Sequence, residues 1–256
     1  VTKLPDGDYT SSVYGDDNIL TSVGTPVGLF YGYKTAGVFA TDAEAKAAGK
    51  DGYLYMEDNA GLRNDFKAGD VHFIDQNNDG KISELDKVVI GDPNPDIYGN
   101  IFATINYKNL TLTMGWNYSL GNDVYNYQRS ILNSGSTFYN QQVAEVAHWR
   151  YEGQQTDLPR LAYGDPMGNN RFSDRWIEDG SYLRLKTLNL SYKVPVPGSW
   201  TWLQGLTVWA QANNLLTFTK YLGSDPEFSI GNGVVYQGID CGNIAQGRSF
   251  QCGVKI

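Results

Sequence analysis

Between Asp75 and Asp86 the chain sets oxygen-bearing residues at a spacing that can coordinate a hard cation. Counted from Asp75 as position 1, Asn77, Asp79, Lys81, Ser83 and Asp86 fall at positions 3, 5, 7, 9 and 12 of a twelve-residue loop, which is EF-hand spacing. Side-chain oxygens of Asp75, Asn77, Asp79 and Asp86 can converge on calcium, with magnesium as the other hard cation such donors could take. The Lys81 carbonyl supplies the position-7 ligand, Gly80 permits the sharp bend, and Ile82 anchors the loop to an apolar neighbour. Asp86 is shorter than the bidentate Glu usual at position 12, so a structural ion is expected rather than a calcium sensor. The alternative is an Asx-rich turn closed by its own backbone.

No other constellation points to chemistry. The chain has two histidines, His72 and His148, without an HExxH, GxSxG or Walker pattern to give them a partner, so packing or surface roles are expected and the chain reads as a non-enzyme. Among 28 acidic residues no spacing singles out a glycosidase pair. The Gly-Asn-Gly at 231–233 reads as a turn, since no phosphate-binding βα context follows it. Cys241 and Cys252 are expected to be free thiols. A net charge of −8 and a pI near 4.7 argue against nucleic acid as a partner. No apolar run reaches the length of a membrane-spanning helix. The start at Val1, without an initiator Met or signal peptide, reads as a fragment or processed product.

The elements that must hold the loop are extended. With 18 Tyr, 10 Phe, 6 Trp and 29 Gly and few helix-favouring runs, the class is all-β. One short helix is expected after the capping box Thr41-Asp42-Ala43-Glu44, ended by Gly49. A weak strand is expected around 9–14, and residues 25–39 suit extended chain with tight bends. From Ile101 onward five stretches alternate apolar with polar or small residues: 101–107, 110–118, 181–194, 206–213 and 250–256. A phase slip near Lys186-Thr187 predicts a bulge.

The connections run short (Lys108-Asn109), long (121–180), moderate (195–204) and long again (221–247). Short periplasmic turns alternating with long extracellular loops are what a transmembrane β-barrel shows, and strands of about 10 residues cross a bilayer when tilted. Tyr98, Tyr107, Tyr118, Tyr182, Tyr192 and Phe218 near strand ends fit interfacial girdles. A soluble, secreted β-sandwich that binds glycans and uses calcium as a staple is the competing architecture. Five strands cannot close a barrel, so a barrel would be completed by strands from elsewhere. In the long 121–180 loop, Tyr127, Trp149 and Tyr151 could offer stacking faces to a sugar or peptide, or pack the loop.

Six blocks in order, among them TPVGLFYGYKTAGVF, GDVHFIDQNNDGKISELDKVVIGDPNPDIYGN, RWIEDGSYLRLKTLNLSYKVP and QANNLLTFTKYLGSDPE, resemble the C-terminal part of SusC/RagA-type TonB-dependent outer-membrane transporters of Bacteroidetes. The resemblance covers most of residues 25–256 and implies a barrel of about 22 strands with an N-terminal plug. It implies residues 1–256 as the C-terminal portion of one barrel domain, with the plug and the TonB contact outside this chain and the loops extracellular. It further implies a SusD-like surface lipoprotein over the mouth and import of glycan oligosaccharides or oligopeptides driven through TonB. Asp75, Asn77, Asp79 and Asp86 match the family's DxNxDG-type loop. Glu178 and Asp179 match a segment leading into a barrel strand, and Asp225-Pro226-Glu227 matches a loop motif of unassigned role. Members usually finish on an aromatic residue, whereas this chain ends at Ile256.

Overall fold

The computed structural model is mostly strand, and describes residues 1–4, 7–13, 16–198, 203, 205–228 and 233–256. It divides into two compact units. One comprises residues 95–122, 179–228 and 243–256, and the other residues 1–94, 123–178 and 229–242.

The first of these is a single antiparallel meander. Its five long strands, Ile97–Tyr107, Leu110–Leu120, Tyr182–Val194, Leu206–Thr219 and Ser249–Lys255, pair each with the next in chain order. Alternation over these stretches predicts that order, and the register explains why they pair as they do. Ile105, Leu112, Leu190, Ala210 and Cys252 form one cross-strand row, and Ala103, Met114, Leu188, Ala212 and Phe250 the next. On the opposite face Thr104, Thr113, Asn189, Gln211 and Gln251 form a row of hydroxyls and amides. A one-residue slip would invert every row, so the two-faced pattern fixes the register. The expected bulge is at Lys186, which has no partner between the pairs Leu185–Trp116 and Thr187–Gly115.

The apolar face is open. Ile105, Leu190, Val208 and Phe250 are all exposed in the whole chain, where a sandwich would cover them with a second sheet. Four of the six expected girdle aromatics lie on this face: Tyr118 and Phe218 toward the long loops, Tyr107 and Tyr192 toward the short turns. Tyr98 and Tyr182 belong to the polar face, because their register position is one residue out of phase with that row. The eight residue steps from Gly99 to Tyr107 separate the two aromatic rows by about 27 Å along the strand. At a tilt of about 40° this is about 20 Å of membrane height, near the about 25 Å of a barrel's apolar band.

The other unit carries the metal-loop candidate. Tyr9–Val13, Asp16–Thr21, Leu29–Gly32 and Val88–Gly91 make a four-stranded sheet. Thr35–Val38 pairs with Val71–Phe73, and Tyr55–Glu57 with Arg63–Asp65. Asp123–Asn126 lies between Ile177–Asp179 and Ile239–Asp240. Two aromatic cores hold them, one around Phe39, Phe66 and Phe73, the other around Phe30, Tyr125, Phe172 and Trp176. The short helix Asp42–Ala47 starts where the capping box predicts, with Thr41 Oγ1 accepting from the Glu44 N–H. A helix the sequence did not announce, Tyr127–Leu132, follows Asn126, whose side chain accepts from the Arg129 N–H. Tyr14, residues 231 and 232 of the expected turn, and 199–202 and 204 of the proline-bearing connection lie outside the described residues.

Candidate functional site

The loop at 75–86 is built by Asx turns. Asp75 accepts the Asp79 and Gly80 N–H groups through its two carboxylate oxygens, at 3.3 and 2.7 Å. Asn77 Oδ1 accepts from Asp79 N at 3.0 Å and Asp79 Oδ1 from Lys81 N at 2.8 Å. This coil needs left-handed backbone at Asn78 (φ 56°) and Gly80 (φ 87°), which Asn and Gly tolerate best. Asp86 ends a 3-10 turn, Glu84–Asp86, and is fully buried; it accepts from Gln76 N and Ser83 N at 2.9 and 2.8 Å. Ile82 is buried in the aromatic core around Phe73, which pins the loop.

Every donor the loop offers is an oxygen, which suits calcium or magnesium and not a softer metal. Among the described residues, however, no three His, Cys, Asp or Glu side chains gather as a metal cluster. An ion here would therefore draw on the Asn77 amide and the Lys81 carbonyl as well as Asp75, Asp79 and Asp86. The Lys81 side chain is engaged elsewhere, its ammonium 2.6 Å from Glu57, whose hydrogen bond raises the Lys81 pKa.

Behind the loop lies a polar hub that sequence reasoning missed. Asp70, with no exposed surface, receives a two-pronged contact from Arg160 at 2.9 Å on each oxygen, and further bonds from Asn169 Nδ2 and Lys67 N. Asn169 in turn accepts from Val71 N at 2.8 Å, tying residues 160–169 to the strand that leads into the metal loop. Asp165 accepts from Asn169 N and Asn170 N; burial nonetheless raises its pKa. Burial and the neighbouring Arg129 lower the pKa of Arg175 to about 10, and burial raises that of Glu145. A cavity of about 520 Å³ opens beside the loop, lined in part by Tyr31, Glu57, Lys81, Glu84, Lys87 and Arg171.

The three aromatic candidates differ in what their rings can reach. Tyr127 is half-buried, edge-on to Tyr125 at 5.8 Å, and burial raises its pKa. The Trp149 indole N–H donates to the Ala40 carbonyl at 3.3 Å, and its ring lies so close over Gly69 that a Cβ there would meet it at 2.5 Å. Tyr151 alone of the three is largely open, 67% exposed. Neither histidine gathers chemistry: His72 stacks on Phe39 at 4.3 Å, burial lowering its pKa, and His148 Nδ1 meets the Glu145 carbonyl. Neither cysteine forms a disulfide, and both are exposed.

In the five-stranded unit, the polar face carries a second cluster. Arg184 is buried between Asp225, which its Nη2 contacts closely, and Glu227, at 2.8 Å from Nη1. Lys186 at the bulge reaches Glu227 at 3.0 Å and Gln246 at 2.6 Å. The Asp225-Pro226-Glu227 motif thus folds the connection after Thr219 back onto the polar face. Its sequence signal was the two acids flanking a proline, but nothing local named Arg184 as their partner. Burial alone would raise the Asp225 pKa; hydrogen bonds from Arg184, Gln246 N and Glu227 N outweigh it and hold the carboxyl below its usual value.

No protein-family model matches the chain. It is 32% identical to TonB-dependent receptor P3 of Formosa agariphila, over 100% of this chain and 25% of the relative. It is 34% identical to TonB-dependent receptor P26 of the same organism, over 94% of this chain and 24% of the relative. To TonB-dependent receptor SusC of Bacteroides thetaiotaomicron it is 27% identical, over 72% of this chain and 17% of that protein. The chain thus spans about a quarter of the length of the first two. Among solved structures it superposes on the RagAB peptide transporter with a TM-score of 0.70 at 22% identity, covering 99% of this chain and 25% of that one. That likeness establishes the fold: the five-stranded meander is a piece of barrel wall, incomplete by itself.

Proposed function

The chain is a segment of a TonB-dependent receptor of the SusC/RagA type, and we propose that it builds wall and outer loops of an outer-membrane importer. The supporting observation is the two-faced meander: an open aliphatic face suits lipid, and the amide- and hydroxyl-rich face suits a watery lumen. Its two long connections, 121–181 and 220–248, leave from one end and its short ones from the other, so the long ones are extracellular. The role is import, not catalysis. The remaining wall, the plug and the TonB contact belong to other parts of the receptor, and a SusD-like lipoprotein covers its mouth.

The cargo is an oligosaccharide or an oligopeptide. Of the two, the peptide is favoured by the cavity beside the metal loop, whose wall carries Arg171 and the ion pairs Lys81–Glu57 and Lys87–Glu84. The Tyr33 ring is buried and has Lys87 and Arg171 over it, leaving little stacking surface for a sugar there. In the long loop, Tyr151 is the leading contact, with Tyr127 and Trp149 behind it. Asp75, Asn77, Asp79, Asp86 and the Lys81 carbonyl hold a calcium ion that stiffens the cavity's edge; the EF-hand spacing of these oxygen-bearing residues supports the reading.

Deleting the gene in the native host tests the reading. Uptake of fluorescent oligopeptides should fall and should also fall when TonB is removed, with the protein in the outer-membrane fraction beside its lipoprotein. Unchanged uptake of peptides and oligosaccharides, or a soluble chain, would overturn it.

A further inference from the structure

The open face of the wall is not uniformly filled. The fourth long strand places Ala210 and Ala212 in two successive rows that are otherwise mostly Leu, Ile, Met and Phe. The missing side-chain volume leaves a furrow of about 420 Å³, flanked by Leu188 and Leu190 on one side and Phe250 and Cys252 on the other, with Leu112 beyond. Ala212 is buried at its floor, while Phe250 stands 71% exposed at its rim. Gln211 and Gln251 border it only through their backbone, because alternation points their side chains to the other face. At Ala210 and Ala212 the floor strand is paired in the sheet on both sides. The furrow therefore offers apolar contact and almost no unmet hydrogen bond. A folded protein partner would bring a polar rim needing donors and acceptors, whereas a hydrocarbon chain needs none.

Its depth selects which hydrocarbon. The Ala210 row lies one row inward from the Tyr107 and Tyr192 row, and the Ala212 row two, so the furrow runs from the short-turn interface to near mid-membrane. The short turns face the periplasm in a barrel. We propose that this furrow is a binding site for one acyl chain of a phospholipid from the inner leaflet of the outer membrane. The assignment rests on the barrel reading above.

Native mass spectrometry of the full-length receptor, titrated with phosphatidylethanolamine after delipidating washes, is the test. The wild type should retain one lipid per chain, and Ala210→Leu, at an exposed position, should lower that occupancy at least fivefold; added lipid A should not displace it. Equal occupancy in wild type and variant, or displacement by lipid A, would refute the site. So would efficient Cys252–Cys252 coupling by a short bis-maleimide in a Cys241→Ser background, which would seat a second copy in the furrow. In the same background, labelling of Cys252 in intact outer membranes by a water-soluble maleimide would refute the barrel reading itself. Protection of Cys252 combined with equal lipid occupancy refutes the furrow alone.

Discussion

A carboxylate with no exposed surface loses several kcal/mol of hydration, and Asp70 persists because Arg160, Asn169 Nδ2 and Lys67 N replace the lost water. Removing one partner leaves the charge buried and under-satisfied, so Arg160→Ala should cost about 3 kcal/mol, discounted from the usual upper values because Arg160 is partly exposed. Hydrogen exchange at the Val71 amide, which Asn169 holds, should speed up accordingly; unchanged exchange would show that the hub is dispensable. Asp225 gives a pH dependence. Its folded pKa is depressed below the unfolded value of about 3.9, so its contribution is complete above that value and is lost as pH falls through the lower folded one. The connection after Thr219 should thus become protease-sensitive as pH falls below the ordinary carboxylate range and stay closed at pH 7, and Asp225→Asn should make it sensitive in both conditions. Neither partnership was legible in the sequence. Arg160 lies 90 residues from Asp70 and Arg184 lies 41 from Asp225, and no periodicity spans such gaps.

At the scale of elements, legibility followed locality. The metal loop, the Thr41 cap and the bulge at Lys186 are each written within a dozen residues, and the structure forms the turn, the cap and the bulge where those residues lie. The strands Tyr55–Glu57 and Ile239–Asp240 were not legible, because two or three residues carry no period, and Ile239–Asp240 takes its pairing from distant chain as well. The loop's proposed ion makes an element-scale prediction. A site that exists only in the folded loop should add about 2.7 kcal/mol at free calcium one hundred times its Kd. Melting followed with and without a chelator should show the shift in the wild type and none in Asp79→Ala, while Lys81→Ala, which keeps the carbonyl, should retain it. Equal melting in all samples would leave the self-closed Asx turn as the correct description.

At the scale of the whole molecule, the wall separates two solvents, and one substitution per face reads that separation. The alternation that made five strands legible also said which residues share a face, but not which face meets lipid; the open aliphatic rows supply that. Leu188 lies midway between the two aromatic rows of the apolar face, Tyr192 lies in the row at the short-turn end, and Asn189 points the other way. An arginine on the lipid face costs about 2–4 kcal/mol at mid-membrane and about 0–1 near the interface. Leu188→Arg should therefore sharply reduce assembled receptor in the outer membrane, Tyr192→Arg should have little effect, and Asn189→Arg should assemble normally with altered transport. The comparison is internal, since the same charge is placed within five positions of one strand and only its surroundings differ. A soluble sheet would rank the three by lost packing instead, with no gradient along the strand. Equal assembly of Leu188→Arg and Asn189→Arg would mean that the apolar rows face something other than hydrocarbon.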